Sequence, residues 1–204
     1  MFFTFRKRTI GQVSQWRGLQ AALLWALLAT ALLGGSWAQA QSPAASEYDV
    51  KAAFLFNIAK YVEWPAQSLA PGGTIVIGIL GDDPFGGGID RLVQGRRVND
   101  HPIAVRRGAR LSDLKEAHIL FIGASERDRA PQICSAAEAA HILTVGDTPQ
   151  TEPFAAINFG VEQGRIVFTA NLDAARRSSA RISSKLLHLA KSVRGSDKPG
   201  GAKR

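Results

Sequence analysis

Apolar and polar positions divide the chain into alternating segments. Residues 19–33, LQAALLWALLATALL, form an apolar run of 15 interrupted only by Gln20 and Thr30. A helix is predicted over 47–63, with Val50, Phe54, Leu55, Phe56, Ile58, Tyr61 and Val62 wrapping nearly all round it. Such a helix is buried on more than one side or packs against a second copy of the chain. Trp64-Pro65 stops it, because proline disfavours helical geometry in the residue before it. Residues 74–80, TIVIGIL, are β-branched and continuously apolar, as in a strand buried on both faces. Gly81-Asp82-Asp83-Pro84 then turns the chain into a short helix over 85–92. The pattern next predicts a strand over 101–107, a short helix over 111–117 with Ser112 as a candidate cap, and an apolar strand over 118–122. A helix over 125–140 and a strand over 142–145 follow, the strand ending at Gly146-Asp147. Two closely spaced strands, 157–162 and 165–170, flank Gln163-Gly164, which is a hairpin signal. Asn171 is a good cap for a last helix over 172–193, whose buried face carries Leu172, Ala175, Ile182, Leu186 and Leu189.

Strands alternating with helices predict a single α/β domain over 47–193. Its sheet should be mixed but mostly parallel, with helices on both faces in a three-layer α/β/α arrangement. Residues 41–46 read as a flexible leader and 194–204 as a disordered basic tail.

Charge changes the picture of the two ends. The formal charge is +8, from 25 Lys+Arg against 17 Asp+Glu, with a pI near 10.1. That balance suggests nucleic acid as a partner only if the excess lies on the fold. It does not. Residues 1–40 hold Arg6, Lys7, Arg8 and Arg17 with no acid, and residues 191–204 hold five basic residues against Asp197. The stretch between them is neutral, so no nucleic-acid partner is expected. The basic start, the apolar run and Ala38-Gln39-Ala40 have the order of a secretory signal peptide over 1–40, cleaved after Ala40. A membrane anchor would need about 20 apolar residues. The mature protein is therefore expected to begin at Gln41, outside the cytoplasm. Cys134 is the one cysteine, so it forms no disulfide within the chain and reads as a small buried hydrophobe.

Candidate chemistry is sparse. His101, His118, His141 and His188 stand apart, with no zinc spacing, and no metal or cofactor is expected. His118 and His141 open apolar strands, where a structural role fits. There is no G-x-S-x-G elbow, and Ser125 reads as a helix cap. Gly81–Gly88 lies where a phosphate loop could sit, but Asp82 and Asp83 would repel phosphate and Pro84 lacks an N–H. An enzyme is not expected. Loops at the carboxyl ends of parallel strands are the usual ligand position in open α/β sheets, and here they carry Asp82, Asp83, Ser125, Glu126 and Asp147. Opposite the apolar face of the last predicted helix, Arg177, Arg181, Lys185, His188 and Lys191 form a basic stripe. It is either a solvated helix face or a docking surface for an acidic partner or anionic lipid.

Two segments resemble a known family. The first is Lys51-Ala52-Ala53-Phe54-Leu55-Phe56-Asn57-Ile58-Ala59-Lys60-Tyr61-Val62-Glu63-Trp64-Pro65. The second runs from Gly164 through Phe168, Asn171, Leu172 and Asp173 to Ile182-Ser183-Ser184-Lys185-Leu186-Leu187. Together they resemble the YfiR family of exported bacterial proteins over about residues 48–191. The resemblance implies a small periplasmic α/β protein that tends to dimerise. It also implies a regulator that represses a membrane diguanylate cyclase by binding its periplasmic region, lowering cyclic di-GMP and biofilm output. The implied partner is such a cyclase or a sensor kinase of the inner membrane. Arg177, Arg181, Lys185 and His188 are the expected partner contacts, and Phe54, Phe56 and Tyr61 the expected dimer contacts. The alternative reading is a periplasmic small-molecule binding module. An exported hydrolase with an unrecognised site is the third. The family's best understood member has several cysteines that bear on its regulation, and the lone Cys134 puts such redox control in doubt here.

Overall fold

The computed structural model describes residues 43–195, with side chains described from Glu47 onward. The expected signal peptide, and the expected tail beyond Gly195, lie outside these residues. Helix α1 (Pro43–Tyr61) leads into β1 (Val62–Glu63) and β2 (Ile75–Leu80). After them come α2 (Gly87–Val93), β3 (Arg97–Val98), β4 (His101–Gly108), a 3-10 turn at Leu111–Leu114, β5 (Ile119–Ile122) and a second 3-10 turn at Ala124–Arg129. The second half holds α3 (Ala130–Ala139), β6 (Leu143–Gly146), β7 (Ile157–Glu162), β8 (Arg165–Asn171), α4 (Leu172–Arg177), β9 (Arg181–Ile182), α5 (Ser184–Leu187) and β10 (Ser192–Arg194).

Eight strands form one mixed, mostly parallel sheet in the order β10-β8-β7-β6-β5-β2-β4-β3, so the chain is a single α/β domain. All six residues of β2 are buried, as a continuously apolar central strand requires. It pairs in parallel with β4 on one side and β5 on the other. The β7–β8 hairpin is antiparallel, and its turn residues Gln163 and Gly164 both take positive φ, 49° and 72°, as a tight hairpin turn demands. Alternation along β2 sends Ile75, Ile77 and Ile79 into one apolar cluster with α1, α2 and α4, while Val76 and Leu80 enter a second cluster with Leu114, Ile133 and Ala137. Each face of the sheet is thus covered by its own core.

Helix α1 lays Ala52, Leu55, Ile58 and Ala59 on the sheet. Phe54, Phe56 and Tyr61 flank that stripe, half-buried against the chain's own core. The Phe54 ring meets Phe159 and Phe168 at 6.0 and 5.8 Å. Cationic groups of Arg96 and Lys60 stand 5.5 Å from the Phe56 and Tyr61 rings. Burial on more than one side accounts for the all-round hydrophobicity. The helix starts four residues before its expected start, inside the expected leader, and ends at Tyr61. Val62 and Glu63 leave it to pair with Ile182 and Arg181 of β9.

The expected helix over 172–193 does not form. It starts as expected, with the Asn171 side chain accepting from the Ala174 N–H at 3.2 Å. It stops after two turns because Ser179 adopts φ 60°. The Ala180 N–H then bonds Ala175 O and the Ser179 N–H bonds Arg176 O, the closing pair of a Schellman cap. Beyond the break the chain makes β9, α5 and β10, and β10 runs through Arg194, the first residue of the expected tail. Ser112 and Ser125 cap no helix. Ser112 lies inside a 3-10 turn, and the Ser125 hydroxyl accepts from the Asp82 N–H at 3.0 Å.

Candidate functional site

The chain turns direction across the sheet at β2: β4 lies to one side of it and β5 to the other. The crevice at the carboxyl ends of these strands is the usual ligand position in such sheets. Asp82, Asp83, Ser125 and Glu126 do gather there. A shallow depression of about 450 Å³ is lined by Gly81, Asp82, Arg107, Gly108, Ser125 and Glu126. Much of its polarity is spent internally. The Arg107 guanidinium donates to Asp83 at 2.7 Å, to Asp90 at 2.5 Å and to Gly86 O at 3.0 Å. Its hydrogen bonds hold the Asp90 carboxyl below the usual range. Asp83 also accepts from the Phe85 N–H at 2.7 Å. Glu126 is buried and pairs with Arg129. Arg107 therefore clasps the 83–90 loop over the strand ends, which leaves the Asp82 side chain as the exposed acid.

Asp147 stands elsewhere. It follows β6, which lies beyond β5 from β2, and it faces the amino-terminal half of α1. There the Lys51 ammonium meets Asp147 Oδ1 at 2.5 Å and also contacts Glu47, one turn earlier on α1. The Tyr48 hydroxyl donates to Asp147 Oδ2 at 3.0 Å, and the Lys51 ammonium lies 4.6 Å from the Tyr48 ring centre. Lys51 and Asp147 side chains are only 4% and 3% exposed. Burial pushes the Asp147 carboxyl up, against the pull of Lys51 and Tyr48. Burial and the neighbouring Asp147 charge push the Tyr48 hydroxyl up as well. A buried pair contributes little net stability compared with apolar packing. Its presence beside a cavity therefore makes it a functional-site candidate. That cavity is a cleft of about 380 Å³ with Tyr48, Lys51, Asp147, Asn158, Phe159 and Glu162 among its walls. Gly146 is needed beneath it. A Cβ there would stand 2.2 Å from the Thr151 hydroxyl and 2.3 Å from Asn158 Oδ1, which bond each other at 2.5 Å.

Sequence reasoning found Asp147 but missed Lys51 and Tyr48. The signal was present, since Lys51 continues the buried stripe of Leu55, Ile58 and Val62 at helical spacing, and a lysine on an apolar stripe needs a buried partner.

The four expected partner contacts are exposed but do not share one helix face, because the helix that would align them is broken. Arg177, on α4, donates to both oxygens of Glu138 at 2.6 and 2.8 Å. Arg181 lies in β9, Lys185 in α5 and His188 just after it. In place of a stripe there is a groove of about 360 Å³, floored by Leu172, Ala175, Ala180 and Ile182 and edged by Arg176 and Arg181.

Among the described residues, no three His, Cys, Asp or Glu side chains are placed to hold a metal ion, and no helix is long and apolar enough to cross a membrane. Cys134 is buried, and burial pushes its thiol up to about 11.

The sequence model of the YfiR/HmsC-like family matches residues 48–191, most of the chain. The chain belongs to the YfiR/HmsC-like family. That family is known for periplasmic regulators of cyclic di-GMP signalling, not for enzymes, and its membership implies interaction with a membrane signalling protein. The matched span includes Tyr48, Lys51 and Asp147 as well as the arginine-edged groove. No curated protein matches this YfiR/HmsC-like chain. Two solved structures are similar in part. A conserved domain protein from Vibrio cholerae O1 biovar El Tor is 12% identical, with a TM-score of 0.47. The match covers 70% of this chain and 60% of that one. An ABC domain from Streptococcus pneumoniae in complex with L-Trp is 8% identical, with a TM-score of 0.42. Here 63% of this chain and 57% of that one are covered.

Proposed function

We propose that this protein is a periplasmic regulatory binding protein. Exported by its first forty residues and cleaved after Ala40, it represses an inner-membrane diguanylate cyclase, or a similar sensor such as a sensor kinase, by binding its periplasmic region. Cyclic di-GMP and biofilm output fall as a result. The observation that carries this reading is the family match across residues 48–191. The arginine-edged groove supports it, since an apolar floor with cationic walls suits an acidic segment bearing an apolar anchor. Arg181, Lys185 and His188, and Arg177 once released from Glu138, are the proposed contacts. The parts of the Phe54, Phe56 and Tyr61 rings left uncovered by the core are the proposed contacts of a homodimer. Sedimentation of the wild type and of Phe56→Ala tests that.

Binding of the purified protein to the periplasmic regions of the host's membrane diguanylate cyclases and sensor kinases, measured by calorimetry, tests the main reading. Saturable binding to one of them that weakens with salt is expected. Absence of binding to all of them would sink it.

The second reading is a small-molecule binding module. The observation that favours it is the cleft with the buried Lys51–Asp147 pair, where buried charges line a cavity beside the carboxyl end of a parallel strand. Thermal-shift screening with periplasmic metabolites checks it. The two readings are compatible, because a ligand there could alter partner affinity.

A further inference from the structure

Two imidazoles close the end of the sheet opposite the crevice. Residues 64–74 connect β1 to β2 and cross the first residues of β2, β4 and β5. His118 immediately precedes β5. Its Nδ1 accepts from the Val76 backbone N–H at 3.2 Å, and its Nε2 lies 3.0 Å from the Ser68 carbonyl oxygen. These two bonds define one tautomer. The ring is neutral, with its proton on Nε2, which donates to Ser68. His101, the first residue of β4, places Nδ1 2.8 Å from the Gly73 carbonyl oxygen and donates to it. The loop's own hydrogen bonds are local: Ser68 and Leu69 N–H to Pro65 O, and Gly73 N–H to Ala70 O. Its described polar ties to the strands are therefore the two imidazoles, beside the apolar packing of Leu69 and Trp64 on the core. The Trp64 indole stands edge-on to His118, with ring centres 5.9 Å apart at 89°.

This arrangement tolerates only one protonation state of His118. A second proton on Nδ1 would point at the Val76 N–H, so two donors would face each other, and the ring would have to turn away from Val76 and carry its Nε2 off the Ser68 carbonyl. From β4 the facing titratable group is His101, and a charge on that ring opposes one on His118. From β2 the facing group is the Val76 amide, and from the loop the Ser68 carbonyl and the Trp64 ring. No carboxylate contacts His118 among the described residues to stabilise a cation.

We propose that His118, assisted by His101, is a pH-operated clasp: neutral, it pins the 65–73 loop to the sheet, and on protonation it releases the loop and uncovers Trp64. This goes beyond the regulatory reading, because it holds whatever partner the protein binds. For a protein outside the cytoplasm it would couple the pH of the surroundings to the shape of one pole of the fold. Burial independently favours the neutral ring and sets the His118 pKa below the ordinary histidine value. The sign follows. Between the ordinary value near 6.5 and the lowered folded value, the released form binds more protons than the closed one. The clasp is thus closed above about pH 6.5 and weakens as pH falls, by up to about tenfold in the opening constant per pH unit within that window.

Gln41–Arg204 contains the whole described fold, and Trp64 is its sole tryptophan, since Trp16, Trp25 and Trp37 precede it. Fluorescence of this chain from pH 8 to pH 4.5, alongside backbone amide NMR, tests the clasp. The expected result is a Trp64 emission change with an apparent pKa below 6.5, tracked by the Val76 amide, while the Phe159 and Phe168 amides of the distant hairpin keep their shifts. Thermolysin cleavage near Leu69, corrected for the protease's own pH dependence, should rise as pH falls through that window, by at most about tenfold per pH unit. His118→Gln should abolish the pH response. An identical response in His118→Gln would overturn the proposal. If that variant does not fold, the wild type alone still decides, since a Val76 amide that fails to follow the His118 titration, or core amides lost together with it, would overturn it too.

Discussion

Lys51→Met removes the ammonium from the most buried ion pair in the described structure and keeps most of the side-chain volume. Asp147, 3% exposed, then holds a charge with the Tyr48 hydroxyl as its remaining strong partner. Removing one partner of a buried pair costs about 3–5 kcal/mol. An independent bound comes from protonation, since Asp147 can escape by becoming neutral. Doing so at pH 7, against an unfolded value near 3.9, costs about 4 kcal/mol. At pH 5 the same escape costs only about 1.5 kcal/mol. In the variant the folded carboxyl is raised far above its unfolded value, so stability falls as pH rises from about 4 toward 7. Asp147→Asn leaves Lys51 with Glu47, which is 30% exposed, and should cost less, about 1.5–3 kcal/mol. The double variant removes both charges and should fall short of the summed single losses by 2 kcal/mol or more. Urea unfolding at pH 7 and pH 5, reading midpoints at unchanged m-values, measures all of this. The reasoning is refuted if Lys51→Met costs under about 1 kcal/mol at both pH values, or if the two single effects simply add.

Other expectations follow from single features. Ser179→Gly relieves the positive φ that ends α4 at the loss of an exposed bond to His141, so the variant should gain about 0.5–1 kcal/mol, a rise of roughly 1–4 °C in Tm; a lowered Tm would show that the hydroxyl bond outweighs the backbone relief. Cys134, buried and with its thiol pushed up to about 11, should resist a thiol reagent at pH 8 in the native protein and react promptly in urea, and rapid native labelling would contradict its burial. Arg181→Glu with Lys185→Glu should leave folding intact, because both side chains are exposed, and should weaken partner binding at least tenfold; full binding would return these residues to the role of a solvated surface.

The sheet was legible because each buried strand needs an uninterrupted apolar run. TIVIGIL and residues 119–122 supply such runs, residues 142–145 do so but for Thr144, and Gln163-Gly164 announces the hairpin. The end of the fold was less legible. Leu172, Ala175, Ile182, Leu186 and Leu189 keep helical spacing across a break made by a serine in a conformation usually given to glycine, so periodicity ran straight through it. Val62 and Ile182 each fit a helical pattern locally, whereas their pairing is a tertiary contact between residues 120 positions apart. The expected ligand residues divide between two clefts, because β5 stands between β2 and β6 in the sheet. The partnership of Lys51 and Asp147 spans 96 positions and exists only once α1 lies across the end of β6.

A protein that restrains a membrane cyclase, as proposed above, must lower cyclic di-GMP in the cell that makes it. Intracellular cyclic di-GMP, measured by mass spectrometry in the wild type, in a deletion strain and in that strain complemented with the full chain, tests it most directly. A several-fold rise is expected on deletion, with stronger surface attachment, and a return to the wild-type level on complementation. Unchanged cyclic di-GMP on deletion, across growth conditions in which the protein is made, would contradict it.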